Sequence, residues 1–254
     1  MQGVFDNVHT NTSPDHYAEK AWPVLKDYAP WLVIMPANTL VNMCYVIVGV
    51  YWLLATKILV KAQTRMGTAA STDLTGHDVY MMYTFCWISI IYGPIQMARL
   101  LMLKHRLAVL DQWYTLPGFA WVLAWALYCL RGWSTATIAT VTGLSIVSYC
   151  CTLFHPFGFD FALACHILVV VKYCIDVQQQ YGTTSSKISF VKALFGCSGF
   201  VILKLADNYL PILHPLFNHL SGHFWSKICD ALQVYYVAEF FFIITLERTR
   251  TKKE

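Results

Sequence analysis

The residues best placed to do chemistry lie toward the C-terminal end. His223, Lys227 and Asp230 stand at i, i+4 and i+7, a spacing that stacks three side chains on one face of a helix. Gln233 and Glu239 extend the polar character of that segment. Such a face is costly against lipid and should turn into a bundle of helices. A buried Lys227 needs a counter-charge, for which Asp111, Asp207 and Asp230 are the available carboxylates. Two readings stay open: a structural ion pair between helices, or a site for ligand or chemistry. His219 and His223 form a His-x-x-x-His pair able to share one metal if both lie on a helix. Ser221 and Gly222 separate them, however. Gly222 is expected to open the helix and leave His219 in the preceding loop, so these two are weak metal candidates. Arg99 and His166 are further ionisable residues within apolar stretches. Lys172, Asp176, Lys204 and Glu239 read as snorkelling or end-flanking charges.

The elements that must carry these groups are membrane spans. Apolar residues make up 57% and charged residues 13% of the 254-residue chain, and its mean hydropathy is +0.49. Soluble domains carry roughly 25% charged residues, so this chain is too poor in charge to clothe a water-facing surface. Seven stretches are long and apolar enough to cross ~30 Å of hydrocarbon: Val33–Leu59, Val79–Leu103, Leu107–Leu130, Thr135–Phe154, Phe161–Val177, Phe190–Ala206 and His223–Leu246. The fifth and sixth are the weakest. Each run must satisfy its own backbone hydrogen bonds in lipid, which selects helices. The alternation of a membrane barrel is absent. The predicted fold is therefore an all-α integral membrane bundle of about seven helices. A polar N-terminal segment (1–30) precedes the transmembrane domain (31–247), and a basic tail (248–254) follows it.

Lys61–Asp78, His155–Gly158, Gln178–Ser189 and Leu210–Gly222 read as connectors. The nine cysteines fall inside apolar runs without a Cys-x-x-Cys pair, which argues against a disulfide framework or a cysteine metal site. No basic stripe with interleaved aromatics suggests nucleic-acid binding. The polar first thirty residues show no cleavable leader, so the first span is expected to do the targeting. Lys57, Lys61, Arg65, Arg131, Lys187, Lys192, Arg248, Arg250, Lys252 and Lys253 gather at one set of ends. The opposite set holds Lys20, Lys26, Lys104, Arg106, Lys204 and Lys227. The richer set predicts a cytosolic C-terminus. Asn11-Thr12-Ser13 is a glycosylation triplet in the N-terminal segment.

Several strings resemble the transmembrane protein 187 family: His16-Tyr17-Ala18-Glu19, Leu40-Val41-Asn42-Met43, Tyr92-Gly93-Pro94, Val109-Leu110-Asp111-Gln112-Trp113, Lys204-Leu205 with Asp207, and Gly222-His223-Phe224-Trp225-Ser226-Lys227. The resemblance runs from Phe5-Asp6-Asn7 to about Gln233. Members usually carry one more hydrophobic segment ahead of the Phe-Asp motif, near which this chain begins. That leaves the total number of spans and the N-terminal side open. The family supplies no activity to carry over.

A more distant resemblance is to the alkaline ceramidases and their seven-span hydrolase superfamily. It rests on Asn38-Thr39 with Asn42 in the first span, on Asp111, and on His223-Phe224-Trp225-Ser226-Lys227. The resemblance implies a catalytic zinc site, but the second histidine of the late pair is Lys227. The second span, around Gly93–Arg99, offers neither the serine nor the histidine of the superfamily pattern. Catalytic zinc needs three protein ligands, and a lysine ammonium has no lone pair to give. The charge of Lys227, with Arg99, would then stand where zinc stands in those hydrolases. His105 and His166 are the residues able to complete a rewired site, although His105 sits in a short connector and reads as a surface residue.

Three functions follow. The first is a non-catalytic ceramidase-like fold with a degenerate metal site that binds a lipid or a membrane-protein partner through Asp111, Asp207, His223, Lys227, Asp230 and Arg99. The second is a zinc-dependent lipid amide or ester hydrolase with altered ligands. The third is a transporter or proton relay, against which stands the lack of repeat halves. The superfamily likeness suggests an endomembrane location, in the endoplasmic reticulum or Golgi.

Overall fold

The structure is a computed structural model that describes residues 3–10, 12–13, 17–30, 34–66 and 74–251, with the backbone alone at 64–66. Asn11 of the glycosylation triplet, the Arg65 side chain, Lys252 and Lys253 lie outside the described residues. The helices are α1 (Pro36–Leu40), α2 (Met43–Met66), α3 (Gly76–Met102), α4 (His105–Arg131), α5 (Thr135–Ser148), α6 (Gly158–Tyr181), α7 (Thr184–Leu205), α8 (Leu210–Leu213) and α9 (Gly222–Thr251). Seven helical stretches are long and apolar enough to cross a membrane, α1 and α2 together forming the first. No strand occurs among the described residues. The chain is an all-helical multi-pass membrane protein.

Several boundaries differ from the sequence reading, each for a local reason. The first span is broken at Val41–Asn42, where the Asn42 amide donates to the carbonyls of Asn38 (2.8 Å) and Thr39 (3.3 Å) instead of leaving them to the helix ladder. The predicted connector Gln178–Ser189 shrinks to Gly182–Thr183. The Thr183 side chain and Ser186 form a reciprocal cap, and the Ser186 hydroxyl donates to Gln178 Oε1 at 2.8 Å. The polar flanks are thereby absorbed into α6 and α7. The largest correction concerns the basic tail. α9 runs on to Thr251, and Arg248 is a buried helical residue rather than a tail charge.

α4 and α9 are the most enclosed spans. Trp125 and Phe241 stack at their contact, with ring centroids 4.8 Å apart. α7 lies close against α9 because Gly196 has no Cβ. One added there would come 2.8 Å from the Cys229 carbonyl, the close approach that small residues permit between membrane helices. Elsewhere the bundle turns large apolar side chains outward, among them Leu144, Leu168, Phe195 and Ile202, as a lipid-facing surface requires.

At one end of the bundle Thr75 and Asp78 form a capping box that starts α3. The Asp78 carboxylate also takes the Arg248 guanidinium and the Tyr128 hydroxyl (2.8 Å). At the other end, the described parts of the N-terminal segment, residues 3–10 and 17–30, fold across the helix termini. His105 bonds Thr10 Oγ1 (2.8 Å) and the Phe5 carbonyl (3.0 Å) through its two ring nitrogens. It opens α4 and holds this segment down, rather than sitting free on the surface.

Candidate functional site

The site is built at the end covered by the N-terminal segment. Gly222 opens α9 with no side chain, as it must: a Cβ would come 2.6 Å from the Leu203 carbonyl and 2.8 Å from Asp207 Cα. Asp207 then caps the new helix, accepting from His223 N at 2.7 Å with one oxygen. Its other oxygen accepts from Ala18 N at 3.1 Å. One carboxylate thus holds α9 and the N-terminal segment together. Glu19 adds a second clasp, accepting from Ala37 N and Asn38 N at 2.8 Å each. Burial pushes the Glu19 carboxyl up to about 7 despite these two donors, and Asp207 nearby adds to the rise. Tyr17 stands edge-on to the His223 ring at 4.9 Å. Burial raises its phenol, and the neighbouring Arg99 guanidinium pulls it back.

His223, Lys227 and Asp230 are all buried on the inward face of α9, and they divide between two cavities. Asp230 accepts from the Tyr45 hydroxyl and lines an apolar crevice of about 80 Å³ with Phe85, Phe119 and Val237. His223 and Lys227 line a polar cavity of about 370 Å³, together with Arg99, Asp111, Asp160, Lys204 and Asp207. Tyr92 and Thr115, whose hydroxyls hydrogen bond at 3.1 Å, belong to both linings, so the two cavities share a wall.

Two of the carboxylates expected to balance Lys227, Asp111 and Asp230, act on it electrostatically, but none of the three makes an ion pair with it among the described residues. Asp111 is occupied by Arg99 and by the Gln96 amide, Asp207 by two backbone N–H groups, and Asp230 by Tyr45. Among the described residues no carboxylate oxygen lies within 4.0 Å of Lys227 Nζ, and it makes no hydrogen bond. Its ammonium sits instead 5.6–5.9 Å from the ring centroids of Tyr45, Tyr92 and Phe200, a cation–π environment. Lysine at 4% exposure without a charge partner is costly to bury.

These residues do not fit zinc. His219 lies in the turn before α9 with its ring against Trp22, whereas His223 faces Tyr17. His166 bonds the Ala162 carbonyl of its own helix at 2.7 Å. Among the described residues no three His, Cys, Asp or Glu side chains are grouped to hold a metal ion. Lys172 pairs with Asp176 on the outer surface of α6, and Glu239 accepts from Ser189, both away from the cavity. Lys204, read as an end-flanking charge, also lines it. Gln96 and Asp160 went unnoticed in the sequence. Gln96 lies three residues before Arg99 and so shares its face, which was a usable signal. Nothing in the sequence around Asp160 marked it.

Comparison with known proteins agrees with the resemblance of the sequence strings. The family model described as the TMEM187 protein family matches residues 1–242. Transmembrane protein 187 of Bos taurus is 40% identical over 244 residues, which cover 96% of this chain and 89% of that protein. Transmembrane protein 187 of Homo sapiens is 38% identical over 234 residues, covering 92% and 82%. No solved structure matches the chain. The matched region takes in the whole cavity, from His9 to Lys227, and on this basis the chain belongs to the TMEM187 family.

Proposed function

We propose that this protein is a non-catalytic membrane receptor whose polar cavity holds the head of a membrane amphiphile, in a ceramidase-like bundle with a degenerate metal site. The observation that carries the reading is Lys227: buried, without an ion pair, and facing a cavity of lipid-headgroup size. An apolar crevice adjoins the polar space across Tyr92 and Thr115, which is the layout an amphiphile needs. Asp111, His223 and Lys227, the positions that carry the ceramidase resemblance, line this one cavity, and a fixed ammonium takes the place of a metal ligand. With no activated water, the site binds rather than hydrolyses. The excess of lysine and arginine at the opposite end supports a cytosolic C-terminus, with the cavity toward the lumen of an endomembrane.

The test is to purify the full chain in mild detergent without added metal, measure zinc by elemental analysis, and identify retained lipids by native mass spectrometry. A retained lipid lost in Lys227→Gln, with zinc far below one per chain, supports the receptor. Near-stoichiometric zinc overturns it in favour of a hydrolase with altered ligands. Acid-dependent substrate flux in vesicles overturns it in favour of a transporter.

A further inference from the structure

Resting on the receptor reading, we propose that the ligand's head is anionic: a phosphate or carboxylate attached to an acyl chain, seated between Lys227 and Lys204 with the chain entering the crevice past Tyr92 and Thr115. The formal charges lining the cavity are balanced, three cations (Arg99, Lys204, Lys227) against three carboxylates (Asp111, Asp160, Asp207). The geometry breaks that balance. Asp111 is consumed by Arg99 and Gln96, and Asp207 by the N–H groups of Ala18 and His223. Asp160, exposed in the first turn of α6, is offset only in part by the helix N-terminus, so it stands as one carboxylate against two cations that have no ion pair among the described residues.

Two ammonium groups are left over. Both flank the Phe200 ring, Lys204 at 5.5 Å and Lys227 at 5.9 Å, and neither has a carboxylate within 4.0 Å among the described residues. Two like charges converging on one cavity repel each other, and the buried Lys227 also lacks solvation. An incoming anion relieves both penalties and gains charge-assisted hydrogen bonds. A zwitterionic head would bring a second cation to the same place, and a neutral head would leave the ammonium groups unmatched. The apolar lining beyond Tyr92, formed by Phe85, Ile88, Phe119, Val122 and Val237, suits a hydrocarbon tail and not a free inorganic ion.

The experiment is native mass spectrometry of the full chain in mild detergent, titrated with dioleoyl phosphatidic acid, dioleoyl phosphatidylcholine, dioleoylglycerol or inorganic phosphate. Phosphatidic acid is expected to bind at least tenfold more tightly than the other three. Lys227→Gln should weaken it about tenfold, and so should Lys204→Gln, which changes an exposed residue in the last turn of α7 and so spares the fold. Equal binding of phosphatidic acid and phosphatidylcholine would overturn the anionic head while leaving the receptor intact. Inorganic phosphate binding as tightly as phosphatidic acid would overturn the tail. No retention of any lipid would overturn the receptor reading itself, and this inference with it.

Discussion

α9 carries two buried cations, Lys227 near its start and Arg248 near its end, and the protein treats them oppositely. Arg248 is 2% exposed and lies against the fully buried Asp78. It donates to the Tyr128 carbonyl at 3.1 Å and stands 4.2 Å from the Tyr128 ring centroid. Lys227 is 4% exposed, makes no ion pair among the described residues, and has three aromatic rings as its cation–π partners. The end held by Arg248 finds its counter-charge within the protein, with the Arg248 Nε left without a hydrogen bond. The end holding Lys227 is left unsatisfied beside a cavity. A buried charge matched inside the protein serves cohesion. A buried charge left unmatched next to space awaits something from outside, and that contrast separates scaffold from site here better than residue type does.

The comparison is broken most sharply at its closed end. Asp78→Asn leaves Arg248 as an uncompensated buried charge and should cost about 3–5 kcal/mol. The expected readout is loss of the monodisperse peak in mild detergent, and normal yield and melting would refute the cohesive role. At the open end the sign reverses. Lys227→Met removes an unpaired buried ammonium and should stabilise the protein by about 2 kcal/mol while abolishing ligand retention, the usual conflict between stability and function. A destabilised Lys227→Met would mean that the ammonium has a structural partner. Arg248→Lys keeps the charge but loses the planar fork and the stacking on Tyr128. It should cost about 1–2 kcal/mol in thermal unfolding; no loss would show that charge alone suffices there.

The smallest effect concerns the N-terminal segment over the cavity. The Glu19 carboxyl is raised to about 7 from an unfolded value of 4.5, so the folded protein holds the extra proton between those values. Docking of the segment is therefore strongest below about pH 4.5. It weakens as pH rises through 4.5 to 7 and stays weakened above that. Limited proteolysis after Lys20 and Lys26 should accelerate from pH 5 to pH 8, and Glu19→Gln should flatten the profile. A pH profile unchanged by Glu19→Gln would assign the effect to another group.

The sequence made the seven spans legible, because hydropathy and length are local properties. The stacking of His223, Lys227 and Asp230 was legible for the same reason. Pairing was not. Which carboxylate meets which cation depends on helix register across the bundle, so Lys227 was assigned a counter-charge that Arg99, Tyr45 and two backbone N–H groups take away. Arg248 was read as tail because an arginine after an apolar run usually marks a span's end. Only the distant Asp78 makes its burial tolerable. The covering of the cavity end by residues 3–10 and 17–30 was invisible for a third reason: their contacts run through His105, Asp207 and backbone N–H groups, and these leave no hydrophobic pattern.

The ion pair between Asp78 and Arg248 also sets a clock on biogenesis. The partners are 170 residues apart in the chain, and synthesis at ~5–20 residues per second delivers the second roughly 10–30 s after the first. During that interval Asp78 waits without its arginine while α3 to α8 are being made. The closed end can lock only when almost the whole polypeptide has emerged, so a product halted before Arg248 carries an unmatched carboxylate, a mark by which quality control can tell unfinished chains from finished ones.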